Sequence, residues 1–282
     1  MQINKVGVVG AGTMGNGIAQ VCATAGLSVV MLDIDQRSLE RGFHTVSGSL
    51  ERLVRKEKLL PTDRESALQR IKSTTDYADL ADVDLVIEAA SEVEKVKLAI
   101  IQTLDKTVRK DAIIASNTSS MSITKLAAAS SAPNRFIGMH FFNPVPVMLL
   151  VELIRGLQTD DATHQAAEQF VENIKKTAIS VKNSAGFAVN RILVPMINEA
   201  VFVLQEGIAS ARAIDEGMRL GCNHVIGPLA LADLIGLDTL LSVMEVFYSS
   251  FNDSKYRPAP LLREMVEAGY LGRKSGQGFY SY

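Results

Sequence analysis

His140 lies within an uncharged, largely apolar run, Phe136–Val151, and Glu152 ends it. In GMHFFNPVPVMLLVELI (Gly138–Ile154) they are the only ionisable side chains. Burying an imidazole or a carboxylate without a partner costs several kcal/mol. An imidazole titrates near neutrality, so it can take a proton from a hydroxyl or return one. A carboxylate beside it would orient the ring and stabilise the imidazolium. If both are buried, each supplies the partner that the other needs, and the pattern predicts a His140–Glu152 acid–base pair. The competing reading is a histidine satisfied within the core and a glutamate at a strand end that reaches solvent. The remaining histidines have less company. His44 and His164 fall in polar helical segments, and His224 precedes the turn Ile226–Gly227–Pro228.

Such a pair needs elements to hold it. The first two thirds of the chain alternate between two periods. Lys5–Gly10, Leu27–Asp33, Asp84–Ala90, Ala112–Asn117, Phe136–Met139 and Leu149–Ile154 read as strands, the first ones as buried parallel strands. Asn16–Ala25, Asp35–Arg55, Pro61–Arg70, Val93–Val108 and Asp160–Lys176 read as helices, and Ala178–Val181 is a further short apolar run. This alternation predicts a doubly wound α/β sheet. The character changes near Asn183–Gly186. Beyond it the pattern is helical, over Phe187–Glu206, Ser210–Leu220 and Leu229–Phe247. The expected organisation is a domain over residues 1–183 and a smaller all-α domain over 184–282. The Gly-rich, basic tail Gly272–Tyr280 reads as an ordered loop.

GAGTMG (Gly10–Gly15) follows the first strand and opens the first helix. Gly10 permits a tight turn, Gly12 lets the backbone approach a pyrophosphate, and Gly15 allows helix to pack closely on strand. The helix N-terminus adds free N–H groups and positive dipole. Asp33 ends the second apolar strand, where it can accept hydrogen bonds from adenosine ribose hydroxyls and repel the extra phosphate of NADP. Asp35 is nearby, but Asp33 is the residue that ends the apolar run. Together these features predict a Rossmann-like, NAD-binding first domain. With NAD as hydride acceptor, His140 would serve as the base that removes the hydroxyl proton from an alcohol.

Composition narrows the remaining classes. The charges nearly balance, at 29 basic and 31 acidic residues, which gives no electrostatic reason to expect nucleic acid or membrane as a partner. Cys22 and Cys222 form neither a CxxC nor a zinc spacing, so no metal is expected and both read as small core residues in a reducing compartment. Strand-like residues begin at Ile3, no secretory signal is expected, and the protein is expected to be cytoplasmic.

GAGTMG, SNTSS (Ser116–Ser120), HFFNPVPVM (His140–Met148), Val151–Glu152, GFAVNR (Gly186–Arg191) and GPLALADLIGLD (Gly227–Asp238) together resemble the 3-hydroxyacyl-CoA dehydrogenases, nearly end to end and most closely the short bacterial enzymes acting on 3-hydroxybutyryl-CoA. The resemblance implies an NAD-dependent, reversible hydride transfer between an (S)-3-hydroxyacyl-CoA and its 3-keto partner, such as acetoacetyl-CoA. It implies His140 as catalytic base and Glu152 as its partner. Ser119 is implied between substrate and nicotinamide, and Asn190 beside the reacting oxygens. Gly10, Gly12, Thr13, Met14, Gly15 and Asp33 are implied in cofactor binding, as are Glu92, Lys97 and Lys274. Glu94 is the alternative acid to Glu92. Ser49 and Lys56 are implied as a CoA-contacting pair on the long helix, where Arg52, Arg55 and Lys56 also read as a solvated charge run. The resemblance further implies a homodimer formed through the helical domain, with the apolar face of Leu229–Leu241 either at that interface or in the domain core.

Rival classes are a dehydrogenase of free hydroxy acids, a non-catalytic crystallin-like relative and an NADH-sensing protein. Retention of His140, Glu152, Ser119 and Asn190 together argues against the non-catalytic reading. The absence of a DNA-reading helix argues against the sensor. Sequence pattern leaves the acyl length open.

Overall fold

The computed structural model describes residues 1–282, which form two units, Met1–Ser184 and Ala185–Tyr282. The first unit is built on β1 (Lys5–Val9), β2 (Ser28–Leu32), β3 (Ile71–Thr74), β4 (Leu85–Glu88), β5 (Ile113–Ser116), β6 (Phe136–Phe141), β7 (Leu150–Arg155) and β8 (Thr177–Lys182). Its helices are α1 (Thr13–Thr24), α2 (Gln36–Arg55), α3 (Pro61–Gln69), α4 (Glu94–Thr107), α5 (Ile123–Ala127) and α6 (Asp161–Asn173).

The strands form one sheet in the order β3-β2-β1-β4-β5-β6-β7-β8. The six strands from β3 to β6 are parallel, β7 runs antiparallel to β6, and β8 runs parallel to β7. The chain therefore builds outward from β1 to β3 and then resumes on the other side at β4. In open α/β sheets the crevice at such a reversal, beyond the carboxyl ends of the strands, is where ligands bind. Strands covered on both faces should be apolar throughout. β4 and β5 are buried at every residue, and Val6, Val8, Ile18, Met31, Ile87 and Phe141 belong to one core.

β3 was not expected from the sequence pattern. β3 reads IKST, with a single apolar residue, because it lies at the sheet edge and only Ile71 is buried.

The second unit contains α7 (Val189–Gln205), α8 (Ala211–Gly221), α9 (Pro228–Ile235), α10 (Leu237–Phe251) and α11 (Pro260–Glu267). The helical run expected over Leu229–Phe247 is two helices. Gly236 separates them at φ 102°, a left-handed conformation that suits glycine alone. α11 is an addition to the sequence reading. Leu229, Ala232, Leu237 and Leu240 are buried in this unit's own core with Val201, Met244 and Phe247. The apolar face of Leu229–Leu241 is thus largely domain core, and Leu234 is its exposed large apolar residue.

The tail is ordered against α9. Asp233 accepts hydrogen bonds from Phe279 N (2.9 Å), Tyr280 N (3.0 Å) and the Tyr282 hydroxyl (3.1 Å). Asp215 accepts from Leu229 N (2.8 Å) and Ala230 N (2.9 Å) in the first turn of α9, and from the Tyr280 hydroxyl (2.8 Å). Both carboxylates are buried, and these donors satisfy them. No helix in the chain is long and apolar enough to cross a membrane.

Candidate active site

His140 and Glu152 stand directly opposite each other across the antiparallel pair β6–β7. Residues in that relation have neighbouring Cβ atoms and project to the same face. His140 Nδ1 lies 2.7 Å from Glu152 Oε2. His140 is 6% exposed and Glu152 0%, which rules out the solvent-reaching alternative for the glutamate. A neutral ring that keeps its proton on Nδ1 for the carboxylate carries its lone pair on Nε2. The pair can therefore present a base with a set tautomer. Phe142 packs against the imidazole, with ring centroids 4.5 Å apart.

The neighbouring strands end in a second polar cluster. Glu92 Oε1 accepts from the Thr118 hydroxyl (2.6 Å), Ser119 N (2.7 Å) and Ser119 Oγ (3.3 Å). Lys97 Nζ lies 3.0 Å from Glu92 Oε2 and 2.8 Å from Glu88 Oε1. Burial alone would raise the Glu92 carboxyl. The Lys97 charge and the bonds from Thr118 and Ser119 outweigh it and hold the group below its ordinary value. Glu94 instead pairs with the exposed Lys125 at 2.7 Å, so the structure joins Glu92, and not Glu94, to Lys97 and Ser119. The Ser122 side chain caps α5, accepting from Lys125 N.

Sequence reasoning missed Glu88. This residue is fully buried at the end of β4 and accepts from Lys97 Nζ, the Ser116 hydroxyl (2.7 Å) and Ala90 N (2.8 Å). Its signal was the one used for Glu152, an acid inside an apolar strand. Asn117 was also missed; its Oδ1 accepts from Phe141 N at 2.9 Å and ties the ends of β5 and β6 together.

The glycine loop turns at the carboxyl end of β1. Gly10 has φ 104°, and a Cβ there would lie 2.7 Å from the Ala89 carbonyl oxygen. A Cβ on Gly15 would lie 1.7 Å from the Gly10 carbonyl oxygen. A Cβ on Gly12 would meet no atom within 4 Å, so the space beside that backbone is open. Gly12 precedes α1 without any side-chain cap, which leaves the first N–H groups of the helix facing that space. Thr13 opens α1 and is exposed, whereas Met14 packs against the sheet core. Asp33 Oδ2 accepts from Ala11 N at 2.8 Å, joining the end of β2 to the loop. Asp35 caps α2 through Arg37 N and Ser38 N.

Ser49 and Lys56 line one cavity of about 390 Å³. Thr13, Asn16, Gly17 and Gln20 of α1 and Asn143–Val147 after β6 form its other walls, and Arg52 adds a second cation from α2. In the second unit, Asn190 lies in the first turn of α7, and Lys274 Nζ pairs with Asp238 Oδ1 at 2.5 Å.

Residues 5–184 match the NAD-binding domain of 3-hydroxyacyl-CoA dehydrogenase, and residues 186–282 match its C-terminal domain. The chain belongs to the 3-hydroxyacyl-CoA dehydrogenase family. A 3-hydroxybutyryl-CoA dehydrogenase of Bradyrhizobium diazoefficiens is 53% identical over 280 residues, covering 99% of this chain and 96% of the relative. A probable 3-hydroxybutyryl-CoA dehydrogenase of Deinococcus radiodurans is 52% identical over 278 residues, covering 99% and 100%. The crystal structure of (S)-3-hydroxybutyryl-CoA dehydrogenase from Ralstonia eutropha superposes with a TM-score of 0.98 at 64% identity, covering 100% of this chain and 99% of that one.

This 3-hydroxyacyl-CoA dehydrogenase is an NAD-dependent oxidoreductase. Its glycine cradle fits the cofactor on structural grounds: open space at Gly12 and uncapped N–H groups at a helix N-terminus suit a pyrophosphate. An acyl-CoA substrate fits the same family.

Proposed function

We propose that the enzyme interconverts (S)-3-hydroxybutyryl-CoA and acetoacetyl-CoA, with His140 as the general acid–base. The observation that carries this reading is the buried His140–Glu152 pair at the carboxyl edge of a dinucleotide-binding sheet. Bound NAD supplies the acceptor for the C3 hydride. His140 takes the 3-hydroxyl proton on Nε2, and in reverse returns it to the keto oxygen. Glu152 holds the Nδ1 proton and stabilises the imidazolium. Ser119 and Asn190 position the substrate oxygens. Glu92 and Lys97 face the cofactor from the end of β4, and Lys274 is assigned near it. The cations Lys56 and Arg52, with Ser49, suit the phosphates of CoA. We assign the protein to the cytoplasm. It acts as a homodimer through the second unit, whose exposed Ile192, Ile208, Leu220 and Val225 support such a contact.

The test is nicotinamide absorbance with acetoacetyl-CoA and NADH, run beside NADPH, longer 3-ketoacyl-CoAs and free acetoacetate. Fast, NADH-preferring turnover of the C4 thioester supports the reading. Activity only on the free acid would replace it with a hydroxy-acid dehydrogenase.

Asp33 carries a separate prediction. It faces the glycine loop, where a carboxylate favours ribose hydroxyls and opposes a ribose phosphate. Asp33→Ala should lose about tenfold or more in NADH affinity and relax the preference over NADPH. Fluorescence titration with both cofactors measures this, and an unchanged ratio of the two affinities would remove Asp33 from cofactor choice.

A further inference from the structure

Lys176 stands between α6 and β8 and has no part in the proton chemistry, yet it is buried at 8% exposure. Its Nζ donates to the carbonyl oxygens of Val145 (2.7 Å) and Met148 (2.6 Å). No carboxylate pairs with it. A buried ammonium is costly and persists only where hydrogen bonds repay its desolvation. Both of its acceptors lie in one turn. Pro144 O already accepts from Val147 N (2.9 Å) and Met148 N (3.0 Å), so the turn closes on itself and directs the Val145 and Met148 carbonyls to the lysine.

The same turn also rests on α1. A Cβ on Gly17 would lie 2.8 Å from Val145 Cβ and 3.5 Å from Pro146 Cδ. The turn is thus packed onto a helix through a glycine and tied down by an ammonium. Residues Asn143–Val147 form the wall of the cavity that faces Ser49, Arg52 and Lys56 of α2.

We propose that Lys176 is a positioning residue for the CoA moiety: by holding the Pro144–Met148 turn, it sets the distance across the cavity to the cations of α2. Its effect falls on thioester binding and not on hydride or proton transfer. Methionine would fill the space of the lysine stem but leave the buried Val145 carbonyl, and that of Met148, without this donor. The turn would then relax, and the cavity wall with it.

The experiment compares Lys176→Met with the unchanged enzyme on acetoacetyl-CoA and on the acetoacetyl thioester of N-acetylcysteamine, which lacks the nucleotide. KM for the CoA thioester should rise about tenfold, with kcat within about threefold. NADH affinity and KM for the truncated thioester should stay unchanged. Lys176→Arg, which keeps the donors, should restore most of the KM. Gly17→Ala displaces the same turn, since its Cβ would lie 2.8 Å from Val145 Cβ, and should reproduce the rise, so the comparison stands even if Lys176→Met does not fold. A fall in melting temperature with KM unchanged, or an equal loss on both thioesters, would overturn the proposal. The inference rests on the assignment of the cavity to CoA, and Lys56→Ala separates the two. An unchanged KM in Lys56→Ala removes the cavity assignment and the proposal with it. A raised KM there, with none in Lys176→Met, removes the proposal alone.

Discussion

His140→Ala is expected to lose about a thousandfold or more in kcat for acetoacetyl-CoA while binding NADH as before. The size follows from what disappears. The imidazole belongs to the one imidazole–carboxylate pair that the β6–β7 ladder brings together, and alanine offers no lone pair for the proposed proton transfer. The cofactor cradle is formed by β1, α1 and β2, so its geometry does not depend on this ring. Steady-state turnover and NADH titration on the same preparation check both halves. Turnover within tenfold of the unchanged enzyme would assign the proton to another group.

Glu152→Gln should cost about a thousandfold to ten-thousandfold in kcat, although the side chain keeps its shape. Glu152 is 0% exposed and accepts from His140 Nδ1. A glutamine amide can donate to Nδ1, which stabilises the tautomer carrying its proton on Nε2. The ring would then face the substrate with a donor where oxidation of the alcohol needs an acceptor. The loss should appear in kcat and kcat/KM together, because the interaction matters most once the imidazolium forms. A variant with the unchanged melting temperature and near-normal turnover would show that Glu152 serves packing alone.

Much of this arrangement was legible in the residues, and the gaps have physical causes. The His140–Glu152 pair could be read because both interrupt apolar strands, where an unpartnered ionisable group is expensive. The glycine loop could be read because each glycine answers a local steric demand at a strand–helix junction. Glu92 and Glu94 were not separable by pattern, since both sit near the start of α4. Only the fold shows that Glu92 meets Ser119 and Lys97 while Glu94 reaches Lys125. Glu88 met the same criterion as Glu152 but lacked a visible partner, because Lys97 comes to it through the turn into α4. β3 was hidden by its edge position, and the break at Gly236 by apolar residues that continue the helical period on both sides. Lys176 gave no signal at all, because its acceptors are main-chain carbonyls, which every sequence possesses.

The cross-strand placement of His140 and Glu152 also ties strand alignment to chemistry. Side chains alternate between faces along a strand, so sliding β7 by one residue against β6 would turn Glu152 to the opposite side of the sheet. Val151 or Leu153 would then face His140. Such a molecule could still bind NADH, since the nucleotide cradle lies on other strands. Turnover per bound NADH therefore counts the molecules whose β6 and β7 are correctly aligned, and a refolding experiment that recovers cofactor binding ahead of activity would be watching those two strands find their alignment.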